Sequence, residues 1–159
     1  GVCYILDEPT TGLDPQARHN LWELIQQMHS DGKTVVLTTH YIEEAQALCG
    51  RVAIMDMGRV VALDTPANLL SRLGSSYLVK LVTSRIMLPQ EIEDIRWSPK
   101  DTLVADGNTF QLRVKDAPRS LSHVMQWATT REVSLEHLEV LPATLEDVFL
   151  ELTGKELRD

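Results

Sequence analysis

The chain has 159 residues, enough for one domain or two small ones, and 43% of them are apolar, which supplies a sizeable core. Its 15 basic residues stand against 23 acidic ones, a balance that excludes a general nucleic-acid surface. No apolar run reaches the length of a membrane-spanning helix, and the two cysteines, Cys3 and Cys49, follow no disulfide or metal spacing and read as small core residues in a reducing compartment.

The first apolar run, Val2-Cys3-Tyr4-Ile5-Leu6, reads as a fully buried strand of a parallel sheet and delivers two adjacent carboxylates, Asp7 and Glu8, before Pro9 stops it. Ligands of such sheets sit beyond the carboxyl ends of the strands, so both acids are expected at the lip of the sheet. Adjacent acids in a partly dry place repel each other, and a cation that accepts oxygen ligands, such as Mg2+, relieves the repulsion. Thr10-Thr11-Gly12-Leu13-Asp14-Pro15 is a polar turn. It opens a helix over 15–30, with Asp14 as N-cap and Pro15 in its first turn. Leu21, Leu24, Ile25 and Met28 share one face of that helix as core, while His19 and Trp22 fall outside the stripe and are assigned to the surface or an interface. Gly32 ends the helix, Lys33 is read as solvated, and a second strand, Thr34-Val35-Val36-Leu37-Thr38-Thr39, ends on His40. A His at a strand end suits contact with a phosphate or a held water.

A short helix over 42–48 follows, then strands over 51–56 and 59–64 around Met57-Gly58. Thr65 and Pro66 open a helix over 66–73, and Gly74-Ser75-Ser76 marks a linker. Beyond it come a strand over 77–82, a helix over 88–97 with Ile92 and Ile95 inward, strands over 102–105 and 109–114 flanking Asp106-Gly107-Asn108, and a helix over 118–130. Leu121, Val124, Met125 and Ala128 line one side of that helix, and a final strand covers 133–140. This order, βαββαβ, matches a ferredoxin-like split unit. Thr144-Leu145-Glu146-Asp147 is a capping box, followed by a helical stripe of Leu145, Val148, Phe149 and Leu152. In residues 76–159 the acids are dispersed and His123 and His137 have no partner spacing, so that half carries no evident chemistry.

The stretch Ile5-Leu6-Asp7-Glu8-Pro9-Thr10-Thr11-Gly12-Leu13-Asp14 resembles the Walker B segment and D-loop of an ABC transporter ATP-binding subunit. Thr38-Thr39-His40-Tyr41-Ile42-Glu43-Glu44-Ala45 resembles that family's H-loop and the helix after it. The resemblance is close and specific over about 1–73. It implies that Asp7 holds Mg2+ through water, that Glu8 is the general base orienting the attacking water, that Asp14 reaches across a dimer of nucleotide-binding domains, and that His40 contacts the γ-phosphate. It also implies ATP as substrate, a membrane permease as partner, and a place in the cytoplasm against the inner face of the cell membrane. Some exporter-type subunits carry a small C-terminal domain with a similar Leu-Glu-Asp-Val-Phe helix, a looser resemblance that points to export.

The phosphate cradle G-x-x-x-x-G-K-[ST] does not occur in the sequence, for Gly32-Lys33-Thr34 has no Gly five residues before Gly32. The family's glutamine loop and Ser-Gly-Gly signature are missing as well. The resemblance therefore implies the C-terminal part of a longer subunit and poor ATP affinity for these residues alone. The expected fold class is α/β, the C-terminal part of a P-loop NTPase (RecA-like) parallel sheet over 1–75, followed by an α+β accessory domain over 76–159. Two alternatives stay open: an ABC-type ATPase without a membrane partner, and a non-catalytic regulatory or dimerisation module.

Overall fold

The computed structural model describes residues 1–154, which divide into two units: Gly1–Arg72 together with the helix that opens after Thr144, and Leu73–Ala143. The fold is mixed α/β, with one parallel and two antiparallel sheets.

In the first unit, β1 (Cys3–Asp7) and β2 (Thr34–Thr38) pair in parallel, with Cys3 opposite Thr34 and Asp7 opposite Thr38. The helix α1 (Pro15–Ser30) crosses between them. Its N-cap is Asp14, whose carboxylate accepts the Ala17 N–H at 2.8 Å. The turn after α1 needs a left-handed residue, and Gly32 supplies it at φ +78°. Lys33 is not simply solvated, as its ammonium stands 5.6 Å from the centre of the Tyr4 ring.

The expectation of a fully buried first strand is corrected. Along β1 and β2 every second residue is exposed, Ile5 at 77% and Val36 at 50%. The physical reason is that among the described residues nothing packs over the side of the sheet that carries Ile5 and Val36. The α1 stripe is corrected in the same way. Ile25 is buried, but Leu24 is 56% exposed, and Trp22 turns inward to donate its indole N–H to Glu44 at 3.0 Å.

The helix α2 (Ile42–Leu48) leads to an antiparallel hairpin of β3 (Val52–Asp56) and β4 (Arg59–Asp64), turned by Met57 at φ +50° and Gly58 at φ +74°. Thr65 caps α3 (Pro66–Ser71) by accepting the Asn68 N–H. The last helix, α6 (Leu145–Thr153), opens where the Asp147 carboxylate accepts the Thr144 N–H at 2.8 Å and packs against α2 and α3. The sequence reading grouped this helix with residues 76–143. Its apolar face, Leu145 and Val148 fully buried, instead closes over the first unit.

The second unit is a four-stranded antiparallel sheet in the order β6-β7-β5-β8, made of β5 (Tyr77–Thr83), β6 (Thr102–Asp106), β7 (Thr109–Val114) and β8 (Leu135–Pro142). One turn of α-helix, α4 (Pro89–Ile92), followed by a 3-10 turn over Glu93–Ile95, stands where the sequence suggested a helix over 88–97. Against the sheet lies α5 (Ala117–Thr130), and the core between them is built on Val79, Leu81, Ile95, Phe110, Leu112, Val124 and Trp127. Met125 is 53% exposed, and Trp127 takes the inward place expected of it because its indole N–H reaches the Glu91 carbonyl at 2.7 Å.

Candidate functional site

The parallel register of β1 and β2 decides the geometry of the site. It sets the last residue of β1, Asp7, directly opposite the last residue of β2, Thr38, so the groups that follow both strands emerge side by side. The Thr38 hydroxyl donates to the Asp7 carboxylate and accepts the Glu8 N–H at 3.0 Å. The same N–H reaches the Thr38 carbonyl at 3.0 Å. Thr38 thus holds the Asp7 carboxylate and the Glu8 backbone through one side chain. Thr38 has no site role that its local pattern reveals, since a Thr in a strand is ordinary until the register shows what lies across from it.

Glu8 stands at φ +44°, in the left-handed region that a residue with a Cβ rarely adopts. Such a backbone costs on the order of 1–3 kcal/mol and persists where its surroundings over-determine it. Here it turns the Glu8 side chain toward the other strand, where its carboxylate meets the His40 Nδ1 at 3.3 Å. His40 is itself positioned from behind. Its ring lies 4.3 Å from that of Tyr41, the Tyr41 N–H is held by the Thr39 hydroxyl at 2.9 Å, and the Arg18 guanidinium stands 4.6 Å from the centre of the Tyr41 ring. Both side chains stay accessible, Glu8 at 51% and His40 at 33% exposure.

The segment between Glu8 and α1 is a tight turn. The Thr11 N–H reaches the Glu8 carbonyl, the Leu13 N–H reaches the Thr10 carbonyl, and Gly12 takes φ +78°. Thr10 is fully buried at its centre. The structure therefore brings Asp7, Glu8 and His40 together at one end of the β1–β2 pair. Asp14 is not joined to them by a hydrogen bond, and its carboxylate caps α1.

Chemically, the strand ends offer one carboxylate braced by a hydroxyl and a second carboxylate against an imidazole. Among the described residues no cluster of three or more His, Cys, Asp or Glu side chains surrounds a common point. A lone braced carboxylate suits Mg2+, which keeps several waters and takes its remaining oxygens from substrate phosphates. No helix among the described residues is long and apolar enough to cross a membrane.

No family model matches the chain. Individual proteins do. The chain is 36% identical over 153 residues to the Nod factor export ATP-binding protein I of Rhizobium etli, an alignment covering 96% of the chain and 46% of that protein. It is 33% identical over 157 residues to the linearmycin resistance ATP-binding protein LnrL of Bacillus subtilis, covering 98% of the chain and 50% of that protein. With the daunorubicin resistance ATP-binding protein DrrA2 of Streptomyces coeruleorubidus it shares 35% identity over 151 residues, 94% of the chain and 47% of that protein. The chain is homologous to ATP-binding subunits of ABC exporters. It spans about half the length of the curated relatives it matches. Because these alignments run over nearly the whole chain, the homology to exporter subunits extends past the Asp7–His40 region into the second unit. That is further than the close resemblance over 1–73 reached, and it takes in the region of the looser one.

Proposed function

We propose that the chain carries the metal and water station of an ATPase subunit that drives an ABC exporter. The observation that carries this reading is the convergence of Asp7, Glu8 and His40 at the ends of two register-matched parallel strands, in a chain homologous to exporter ATP-binding subunits. Asp7, braced by Thr38, would hold Mg2+ through water, and the ion would neutralise charge on the phosphate oxygens. Glu8 accepts a proton from the attacking water and aims it at the γ-phosphate. His40 contacts that phosphate and keeps the Glu8 carboxylate in place. Asp14 reaches a second nucleotide-binding domain across a dimer. The protein lies against the cytoplasmic face of the membrane, bound to a permease that selects the transported compound.

Two finer points of architecture belong to the same reading. The parallel pair β1–β2 is part of a P-loop NTPase (RecA-like) sheet, a placement supported by the homology. The second unit is a ferredoxin-like accessory domain, supported by its strand order and its wholly antiparallel pairing. It serves regulation or dimer stability.

The test uses an intact subunit carrying a phosphate cradle. Glu8→Gln should lower ATP turnover by at least about 10²-fold, the scale of a general base, while ATP binding stays within a factor of about two. Normal hydrolysis in that variant would overturn the role of Glu8. The 159 residues alone should bind magnesium-ATP poorly by calorimetry, because they contain no G-x-x-x-x-G-K-[ST] cradle.

A further inference from the structure

We propose that the second unit holds a binding site for a small organic acid with a planar ring, in the cavity at the start of α5. The cavity has a volume of about 460 Å³ and lies wholly within that unit, apart from Asp7, Glu8 and His40. This is the size range of small-molecule sites.

Its lining has two chemical halves. Tyr77 and Trp97 supply rings that remain 39% and 47% exposed, whereas the other large rings of the unit, Phe110 and Trp127, are buried in the core. Trp97 is held in place from outside the core by the Arg119 guanidinium at 5.9 Å and by the edge of the His123 ring at 6.1 Å. An open, fixed aromatic surface beside a cavity is suited to stacking a planar group.

Lys100 and Lys115 supply positive charge on a chain whose formal net charge is −8. Two carboxylates share the lining, and of these Asp116 is paired with a cation among the described residues. Asp101 accepts the Ser98 N–H at 3.1 Å, and Asp116 accepts the Arg119 N–H at 3.1 Å and lies 3.5 Å from its guanidinium. Among the described residues neither Lys100 nor Lys115 forms an ion pair. The first residues of the 14-residue helix α5, Ala117 and Pro118, complete the wall. A neutral aromatic would leave the lysines unanswered, and a bare inorganic anion would leave Tyr77 and Trp97 unused. A ring that bears a carboxylate, sulfonate or phosphate satisfies both.

The test is an NMR titration of the 159-residue chain with naphthalene-1-sulfonate, read at the indole N–H of Trp97. Uncharged 1-naphthol and sodium sulfate serve as separate arms. The site predicts a saturable shift of the Trp97 resonance with the sulfonate, weaker binding of the naphthol, and no saturable shift with sulfate. Lys100→Glu with Lys115→Glu should weaken the sulfonate by about tenfold or more, a Coulombic loss over two charges. The indole signals of Trp22 and Trp127 report whether the variant keeps its fold, and Lys100→Gln with Lys115→Gln repeats the test without charge reversal. Absence of a Trp97 shift at millimolar sulfonate, equal binding of sulfonate and naphthol, or binding indifferent to both pairs of lysine variants would each overturn the site.

Discussion

Glu44 is the residue where local chemistry and packing meet most sharply in the first unit. It is fully buried, one carboxylate oxygen accepts the Trp22 indole N–H at 3.0 Å, and the other has no hydrogen-bond partner among the described residues. Trp22→Phe keeps an aromatic ring but removes that donor, and should cost about 1–3 kcal/mol, the penalty of stranding a buried acceptor. Urea denaturation checks this, and an unchanged midpoint would show the contact to be dispensable. Glu44 also acts on Cys49. Burial first, and the charge of Glu44 second, push the Cys49 thiol up from its ordinary value. Less thiolate means slower alkylation, so iodoacetamide at mildly alkaline pH should modify exposed Cys3 well before Cys49. Glu44→Gln should narrow the gap by speeding Cys49, and equal rates in the unchanged chain would contradict this reading. None of this was legible in the sequence. Helical spacing put Trp22 outside the apolar stripe, and a single helix cannot report that a carboxylate from α2 lies over its flank.

At the scale of elements, the short helix α4 depends on one ion pair. Arg85 grips Glu91 with bonds of 2.8 and 3.0 Å, and the same carboxylate accepts the Leu88 N–H at 2.8 Å. The Arg85 bonds first, and the backbone bond second, hold the Glu91 pKa down to about 2 from 4.5. A folded-state pKa below the unfolded one gives stability that is present above the unfolded value and lost as pH falls toward the folded one. The second unit should therefore lose stability between about pH 4.5 and about pH 2, and Glu91→Gln should flatten that fall. Urea midpoints across this range measure it, and parallel pH profiles for both proteins would remove Glu91 from the explanation. Element boundaries were largely readable, because Asp14, Thr65, Pro15, Pro66 and the Met57-Gly58 and Gly107 turns carry their own signals. Burial was less so. Ile5, Val36 and Leu24 have the composition of core residues, yet exposure depends on how many layers stand over them, and that is set by tertiary structure rather than by local pattern.

Over the whole molecule, the gathering of Asp7, Glu8 and His40 was readable because it joins local segments by a simple register. Asp7 and Glu8 are adjacent in sequence, and one parallel pairing carries His40 to them. Grouping was harder to read. The terminal helix follows the second unit along the chain, but the burial of Leu145 and Val148 belongs to the first, and no linker composition announces that return. In the proposed function Glu8 and His40, 3.3 Å apart, act on one water and one phosphate as a unit. Groups acting as a unit give strongly non-additive losses when both are removed. The direct measurement is a double-mutant cycle in single-turnover ATP hydrolysis by an intact subunit, comparing Glu8→Gln, His40→Ala and the pair. The account predicts that the double variant is no slower than the slower single variant. Losses that multiply would mean that the two side chains work independently and would contradict it.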